Sequence, residues 1–174
     1  IEQSFIVKGM KNIVKNWDKD LKKGKISEEQ KAAFVGNITT SVDKSALSDC
    51  DLVVEAIIEN IDIKKQLFKE LNDICAPETI IATNTSGFSI TEIAAASGRP
   101  AKVVGTHFFN PVPVMRLVEV IPGEETSRET VAAAMEFCKI IGKTAIEAKE
   151  APGFIVNRLL VPYLNDACHA FGEG

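Results

Sequence analysis

Short apolar segments of strand-like composition alternate with helical segments along the chain, and this alternation constrains the fold more than any other feature. The strand-like segments lie at 51–57, 79–82, 102–109, 117–121 and 144–148. Segments with apolar residues at helical spacing, or with a helix-capping start, lie at 61–75, 89–97 and 126–142. Repeated strand–helix–strand units favour an α/β fold with a mainly parallel sheet.

Further elements are predicted on either side of these units. Residues 4–23 carry one apolar stripe at helical spacing, formed by Phe5, Ile6, Met10, Ile13, Val14, Trp17 and Leu21. A capping box at Ser27–Gln30 predicts a second helix ending near Gly36, and residues 38–42 are a candidate strand. A final helix is expected over 154–171, after a break at Pro152–Gly153. The domain boundary is therefore expected at 150–153.

Charge and cysteine usage exclude several classes of protein. Among 174 residues, 20 Lys and Arg stand against 24 Asp and Glu, which argues against a nucleic-acid or membrane-surface binder. No window approaches 18 unbroken apolar residues, so a transmembrane span is not expected. The four cysteines form no CxxC pair. They are interpreted as buried reduced thiols of a cytosolic protein rather than as metal ligands.

Polar residues follow three of the predicted strands. Glu59, the run Asn84–Ser86 and the run His107–Asn110 each come directly after an apolar segment. In open α/β sheets, ligands bind beyond the carboxyl ends of the strands. These residues are either a functional site along one edge of the sheet or ordinary polar loops.

One histidine and one carboxylate suggest acid–base chemistry. His107 precedes a Pro111–Pro113 loop, and Glu119 lies within an apolar run, where a carboxylate needs a partner. If the loop reverses the chain, Glu119 can reach His107 and stabilise its imidazolium form. The alternative is a solvent-facing Glu119 and a structural histidine. Ser86 lacks the GxSxG context of a hydrolase nucleophile and better suits binding a substrate oxygen.

Four segments are most informative when taken together: residues 51–60, the Asn84–Ser86 run, HFFNPVPVMRLVEVI at 107–121 and APGFIVNRLLVPYL at 151–164. These segments resemble the L-3-hydroxyacyl-CoA dehydrogenase family, and most of all its short-chain bacterial 3-hydroxybutyryl-CoA members. The resemblance implies a Rossmann-like NAD-binding domain over residues 1–150, with flanking helices. It further implies that 151–174 begins an all-α substrate and dimerisation domain.

The same resemblance implies a reaction and its residues. A 3-hydroxyacyl-CoA would be oxidised to the 3-oxoacyl-CoA with NAD, or the reverse, by a cytoplasmic homodimer. His107 would be the general base, Glu119 would orient it, and Ser86 would hydrogen-bond the reacting oxygen. Asn157 would hold the substrate carbonyl. The resemblance also places three residues near the cofactor, namely Glu59, Lys64 and Asn110.

The sequence also departs from the family pattern, because it contains no GxGxxG motif. The resemblance implies that the first β-α-β unit and most of the helical domain lie outside these 174 residues. Residues 1–174 alone are then not expected to be a competent enzyme. The alternatives are a hydroxy-acid or sugar-acid dehydrogenase on the same scaffold, or an inactive fragment.

Overall fold

The chain divides into two compact units, and the division falls between Ala46 and Leu47. The structure is a computed structural model and describes residues 2–174. The first unit holds two helices, α1 (Gln3–Lys22) and α2 (Glu28–Gly36), as the sequence predicts. The second unit holds the sheet and the remaining helices.

A capping box and a few side-chain contacts define the first unit. The N–H of Gln30 donates to Ser27 Oγ at 3.1 Å, and the N–H of Ser27 donates back to Gln30 Oε1 at 2.8 Å. The Trp17 and Phe34 rings pack with their centroids 5.5 Å apart. No residue of α1 is fully buried, and Phe5 is 63% exposed. The apolar stripe of α1 is thus only partly covered in the structure.

The predicted strand at 38–42 is wrong. No strand forms there; a turn follows, in which Ser41 and Asp43 exchange hydrogen bonds and Asp43 Oδ1 accepts the N–H of Ser45 at 2.9 Å. Side chains of Ser and Asp offer the backbone an alternative to strand pairing. The local hydrogen bonds therefore outweigh the weak β propensity of this segment.

The second unit is built on a five-stranded sheet in the order β1-β2-β3-β4-β5. The strands are β1 (Leu52–Glu55), β2 (Ile80–Thr83), β3 (Val103–Phe108), β4 (Leu117–Pro122) and β5 (Thr144–Glu147). Three of the four neighbouring pairs are parallel, and β3 pairs with β4 in the antiparallel direction. The prediction of a mainly parallel α/β sheet with flanking helices is confirmed.

Helices cover both faces of this sheet. They are α3 (Ile61–Ile74), α4 (Ile90–Ala96) and α5 (Arg128–Ile140), and a last helix, α6 (Val156–Glu173), follows with no buried residue. On one face, Phe68 and Leu71 of α3 and Ile93 of α4 pack in a cluster with strand residues. On the other face, Val131 and Ala134 of α5 pack against β2, β3 and β4. Burial of apolar side chains on both faces explains why the strands are almost wholly apolar.

Two consecutive residues with positive φ delay the start of the last helix. Gly153 has φ 75° and Phe154 has φ 51°, so α6 begins at Val156 rather than at residue 154. A Cβ at Gly153 would lie 2.8 Å from the backbone nitrogen of Arg158. The turn thus requires glycine for two reasons, its φ and its close approach to α6. The domain boundary expected at 150–153 stays a prediction.

Candidate active site

The carboxyl ends of β1, β2 and β3 lie side by side. The N–H of Asn84 donates to the carbonyl of Glu55 at 2.8 Å, and Asn84 Oδ1 accepts the N–H of Phe108 at 2.9 Å. One asparagine thus ties the ends of β1 and β3 together across β2. The polar residues that follow these strands gather at one edge of the sheet, as expected for parallel neighbours.

His107 and Glu119 face each other across the antiparallel pair of β3 and β4. Glu119 Oε2 lies 2.7 Å from His107 Nδ1, and the two side chains are 0% and 5% exposed. The loop at Pro111–Pro113 reverses the chain, so the alternative of a solvent-facing Glu119 is excluded. No residue within 2–174 hydrogen-bonds the other ring nitrogen, Nε2. That nitrogen remains available for proton transfer.

Two aromatic rings enclose the histidine. The ring of Phe109 lies 4.6 Å from the His107 ring and that of Phe154 lies 5.6 Å away, measured between centroids. Phe154 is 3% exposed, and its positive φ of 51° is uncommon for a bulky residue. Strained backbone of this kind concentrates at functional sites. Here it places a buried ring against the candidate base.

The second oxygen of Glu119 reaches a distant part of the chain. Glu119 Oε1 accepts the N–H of Ile155 at 2.9 Å and the N–H of Val156 at 3.0 Å. The start of a helix leaves N–H groups without intrahelical partners, and an anion there is favourable. The buried carboxylate is therefore satisfied on both oxygens. Sequence reasoning missed this contact because 36 residues separate Glu119 from Ile155.

Ser86 links two other predicted site residues. Its N–H donates to Glu59 Oε1 at 3.1 Å, and its carbonyl accepts Asn157 Nδ2 at 3.3 Å. Ser86 is exposed, and its hydroxyl makes no hydrogen bond within residues 2–174. The structure thus brings Ser86 to Asn157 at the start of α6 and to Glu59 after β1, and it leaves the hydroxyl for a ligand.

Glu59 and Lys64 also lie together, but the lysine is not on the surface. Lys64 Nζ lies 3.1 Å from Glu59 Oε2, and the lysine side chain is 1% exposed while that of Glu59 is 46% exposed. Burial acts to raise the pKa of the Glu59 carboxyl. Hydrogen bonds from Thr85, Lys64 and Ser86 outweigh that effect and hold the pKa below its ordinary value. Glu59 is an ionised acceptor at the edge of the sheet.

A second carboxylate, which sequence reasoning missed, completes this cluster. Glu55 Oε1 lies 2.7 Å from Lys64 Nζ, and its side chain is fully buried. The signal was the one used for Glu119, a carboxylate inside an apolar strand. Thr85 was also missed; it is 1% exposed, and its hydroxyl donates to Glu59.

Asn110 stands apart from the other predicted residues. It is exposed in the loop that joins β3 and β4, and it hydrogen-bonds none of the other site residues within 2–174.

The described chain, residues 2–174, contains no cluster of three or more potential metal ligands. Nor does it contain a helix long and apolar enough to cross a membrane. Of the four free cysteines, Cys75 and Cys138 are buried, whereas Cys168 is exposed, so the expectation of four buried thiols is only partly correct.

Comparison with known proteins decides the family. The model of the 3-hydroxyacyl-CoA dehydrogenase NAD binding domain matches residues 1–151. The chain belongs to the 3-hydroxyacyl-CoA dehydrogenase family. It is 44% identical over 172 residues to the 3-hydroxybutyryl-CoA dehydrogenase of Clostridioides difficile. That alignment covers 99% of this chain and 61% of the relative, so the chain spans about three fifths of the length of that curated relative.

Solved structures of the family agree with the fold. The crystal structure of (S)-3-hydroxybutyryl-CoA dehydrogenase from Ralstonia eutropha superposes with a TM-score of 0.97 at 42% identity, covering 100% of this chain and 62% of that one. A diketoreductase that acts on dicarbonyl compounds superposes with a TM-score of 0.84 at 31% identity, covering 92% and 56%. Two enzymes that are named for different carbonyl substrates thus share the fold of this chain.

Proposed function

We propose that the intact protein oxidises a short-chain (S)-3-hydroxyacyl-CoA to the 3-oxoacyl-CoA with NAD, or catalyses the reverse reduction. The buried hydrogen bond between His107 Nδ1 and Glu119 Oε2, 2.7 Å long at the ligand edge of the sheet, carries this proposal. A histidine held by a buried carboxylate, with its second nitrogen free, is suited to general-base catalysis. The family assignment supplies the substrate class.

In the proposed oxidation, His107 Nε2 accepts the proton of the substrate's 3-hydroxyl. NAD, when bound, supplies the acceptor for the C3 hydrogen and its electron pair. Loss of that proton and that hydride converts the alcohol to the ketone, so atoms and electrons balance. Glu119 stabilises the imidazolium that forms, and its fixed position keeps the proton on the Nδ1 side of the neutral ring.

Ser86 and Asn157 are proposed to bind the substrate's oxygens. The Ser86 hydroxyl makes no protein hydrogen bond within the described chain, so it is free to donate to the reacting oxygen. Asn157 Nδ2 uses one of its two hydrogens on the Ser86 carbonyl, at 3.3 Å. Its remaining hydrogen can donate to the thioester carbonyl. Donors fixed before the substrate arrives stabilise developing negative charge most effectively.

The residues at the end of β1 fit the ribose of a nicotinamide cofactor. Glu59 is ionised and half exposed, and a carboxylate with three hydrogen-bond donors retains capacity to accept a ribose hydroxyl. The ammonium of Lys64 holds the Glu59 carboxylate in position, whereas the assignment of the exposed Asn110 to the cofactor pocket rests on the family resemblance alone. No residue of this sequence is assigned to the pyrophosphate, because the sequence contains no GxGxxG motif.

Oxidation of NADH by the intact protein in the presence of acetoacetyl-CoA tests the proposed function. The proposal expects saturable, acetoacetyl-CoA-dependent loss of NADH absorbance. A protein that binds NADH but is inert towards acetoacetyl-CoA and longer 3-oxoacyl-CoA substrates would contradict it.

The similarity to a diketoreductase favours one alternative, a reductase for dicarbonyl compounds without CoA. Measuring kcat/KM for acetoacetyl-CoA and for a simple acetoacetate ester in the same assay separates the two. The proposal expects acetoacetyl-CoA to be preferred by at least about a hundredfold, because the CoA portion supplies binding energy that the ester lacks. Equal values would favour the alternative.

We further infer a homodimer in the cytoplasm. Four free cysteines support a reducing compartment. The apolar side chains of α6 support an association surface, since Leu159 is 71% exposed and Tyr163 is 69% exposed. Sedimentation of the intact protein at several concentrations would show whether it is a dimer.

A further inference from the structure

Lys64 lies in a network of three charged side chains, between the partly exposed Glu59 and the buried Glu55. Its ammonium contacts Glu59 at 3.1 Å on the exposed side and Glu55 at 2.7 Å on the buried side. Burying an ammonium is unfavourable unless charge and hydrogen bonds compensate it. Both carboxylates do so here. Only Glu59 is accessible to a ligand, because its side chain is 46% exposed and that of Glu55 is fully buried.

The buried carboxylate, that of Glu55, accepts two further hydrogen bonds from β2 and from the segment after β1. Glu55 Oε1 also accepts the N–H of Ile57 at 2.7 Å, and Oε2 accepts the hydroxyl of Thr83 at 2.6 Å. Thr83 is 0% exposed and lies directly opposite Glu55 in the register of β1 and β2. The position of Glu55 is thus set by two strands of the sheet. Its side chain is fully buried and therefore cannot touch a cofactor.

We propose that Glu55 is a positioning residue, which holds the Lys64 ammonium in place and, through it, orients the Glu59 carboxylate for the cofactor ribose. The inference rests on the proposed function, since it assigns Glu59 and Lys64 to a nicotinamide nucleotide. The chain of contacts runs from Thr83 through Glu55 and Lys64 to Glu59. A rigid sheet interior thereby fixes a ligand-binding carboxylate that sits on a loop.

The test is a double-mutant cycle on NADH affinity in the intact protein, with Kd measured by nicotinamide fluorescence. Glu55→Gln is expected to raise the Kd for NADH about tenfold, because a charge-assisted hydrogen bond to Lys64 is lost. In a Lys64→Met background the same change is expected to alter Kd less than about twofold, because the residue through which it acts is gone. Turnover at saturating NADH should change little, so that KM moves and kcat does not.

A matched control lies next along the same helix. Lys65 of α3 forms an ion pair with Glu92, and this pair is partly exposed. Glu92→Gln removes a carboxylate from a lysine of the same helix without touching the Lys64 network. It is expected to leave the Kd for NADH unchanged.

A gentler variant keeps the test decisive if Glu55→Gln fails to fold. Thr83→Val removes the hydroxyl that donates to Glu55 and that accepts the N–H of Thr85 at 3.3 Å, and all charges stay, so it is measured in both the wild-type and the Lys64→Met backgrounds. It is expected to raise the Kd for NADH about threefold. An unchanged Kd in Thr83→Val and in any folded Glu55→Gln protein would overturn the inference. So would equal losses from Glu55→Gln in the wild-type and Lys64→Met backgrounds.

The same measurements distinguish a failure of the proposed function from a failure of the inference about Glu55. If the wild-type protein does not bind NADH at all, the assignment of the site is wrong and the inference falls with it. If wild type binds NADH and Glu55→Gln lowers only the melting temperature, the cofactor assignment stands and Glu55 is merely structural.

Discussion

Glu119 Oε2 lies 2.7 Å from His107 Nδ1, and the same carboxylate accepts two backbone N–H groups at the start of α6 through its other oxygen. One buried side chain therefore joins the candidate base to the segment that carries Asn157. The position of the candidate base and that of the amide proposed to bind substrate depend on a single carboxylate.

Replacing Glu119 by Ala should lower both stability and turnover. The change leaves two partly buried N–H groups and a buried histidine without their partner, so the free energy of unfolding should fall by about 3 kcal/mol. The turnover number should fall about a hundredfold, since the imidazolium loses its stabilising charge. Urea unfolding and steady-state kinetics check the two effects. Glu136→Ala, which removes an exposed carboxylate from α5, should change neither.

The two buried carboxylates, Glu119 and Glu55, show how much of the candidate site could be predicted from the sequence. A carboxylate in an apolar run predicted that Glu119 needs a partner, and the proline-containing loop made His107 reachable. The same signal is present at Glu55 but was not interpreted there, so the buried network of Glu55 and Lys64 was not predicted. The contact of Glu119 with Ile155 could not be predicted, because it depends on the three-dimensional path of the chain between them.

Local propensity explains the errors in the fold. The strand predicted at 38–42 has β-branched residues but no neighbouring strand to pair with, so the Ser41–Asp43 turn forms instead. The start of α6 was misplaced by two residues, because a positive φ at Phe154 is not encoded in its side chain. The alternation of strands and helices followed from periodicity, because burial on two faces leaves a clear apolar pattern in the strands. The strand order was not predicted from the sequence.

Replacing Gly153 by Ala should separate backbone strain from steric clash. Gly153 and Gly142 have φ of 75° and 74°, but only at Gly153 does a Cβ meet the backbone, 2.8 Å from the nitrogen of Arg158. Gly142→Ala should cost about 1 kcal/mol of stability and leave turnover intact. Gly153→Ala should cost more than that and lower turnover at least about tenfold, because the turn positions Phe154 and Asn157. Equal turnover in the two variants would contradict the role of this turn.

Replacing Ser86 by Ala should affect chemistry and not stability. The Ser86 hydroxyl has no hydrogen-bond partner within the described residues, so thermal unfolding should be unchanged. Turnover with acetoacetyl-CoA should fall about tenfold, since one donor to the reacting oxygen is lost. A lower melting temperature with normal turnover would show that Ser86 serves the fold instead. Ser4→Ala on the exposed part of α1 is a suitable control.

Acid should abolish the contribution of Glu59 to stability. The pKa of Glu59 is lower in the folded protein than in an ordinary carboxyl, because hydrogen bonds from Thr85, Lys64 and Ser86 outweigh the effect of burial. Its stabilisation is therefore present above the unfolded-state pKa and is lost as the pH falls through the folded-state pKa. The difference in unfolding free energy between wild type and Glu59→Gln should shrink from about pH 7 to about pH 3. A difference that grows in acid would contradict this sign.

The turnover of His107→Ala with acetoacetyl-CoA and NADH tests the central claim most directly. The intact variant should lose about a thousandfold in kcat, since no other group within the described chain can replace the base. Its Kd for NADH should match that of wild type, and His169→Ala, which changes the chain's other histidine, should retain normal turnover. A His107→Ala protein that turns over within about tenfold of wild type would show that the buried His107–Glu119 pair is structural and that the catalytic base lies elsewhere.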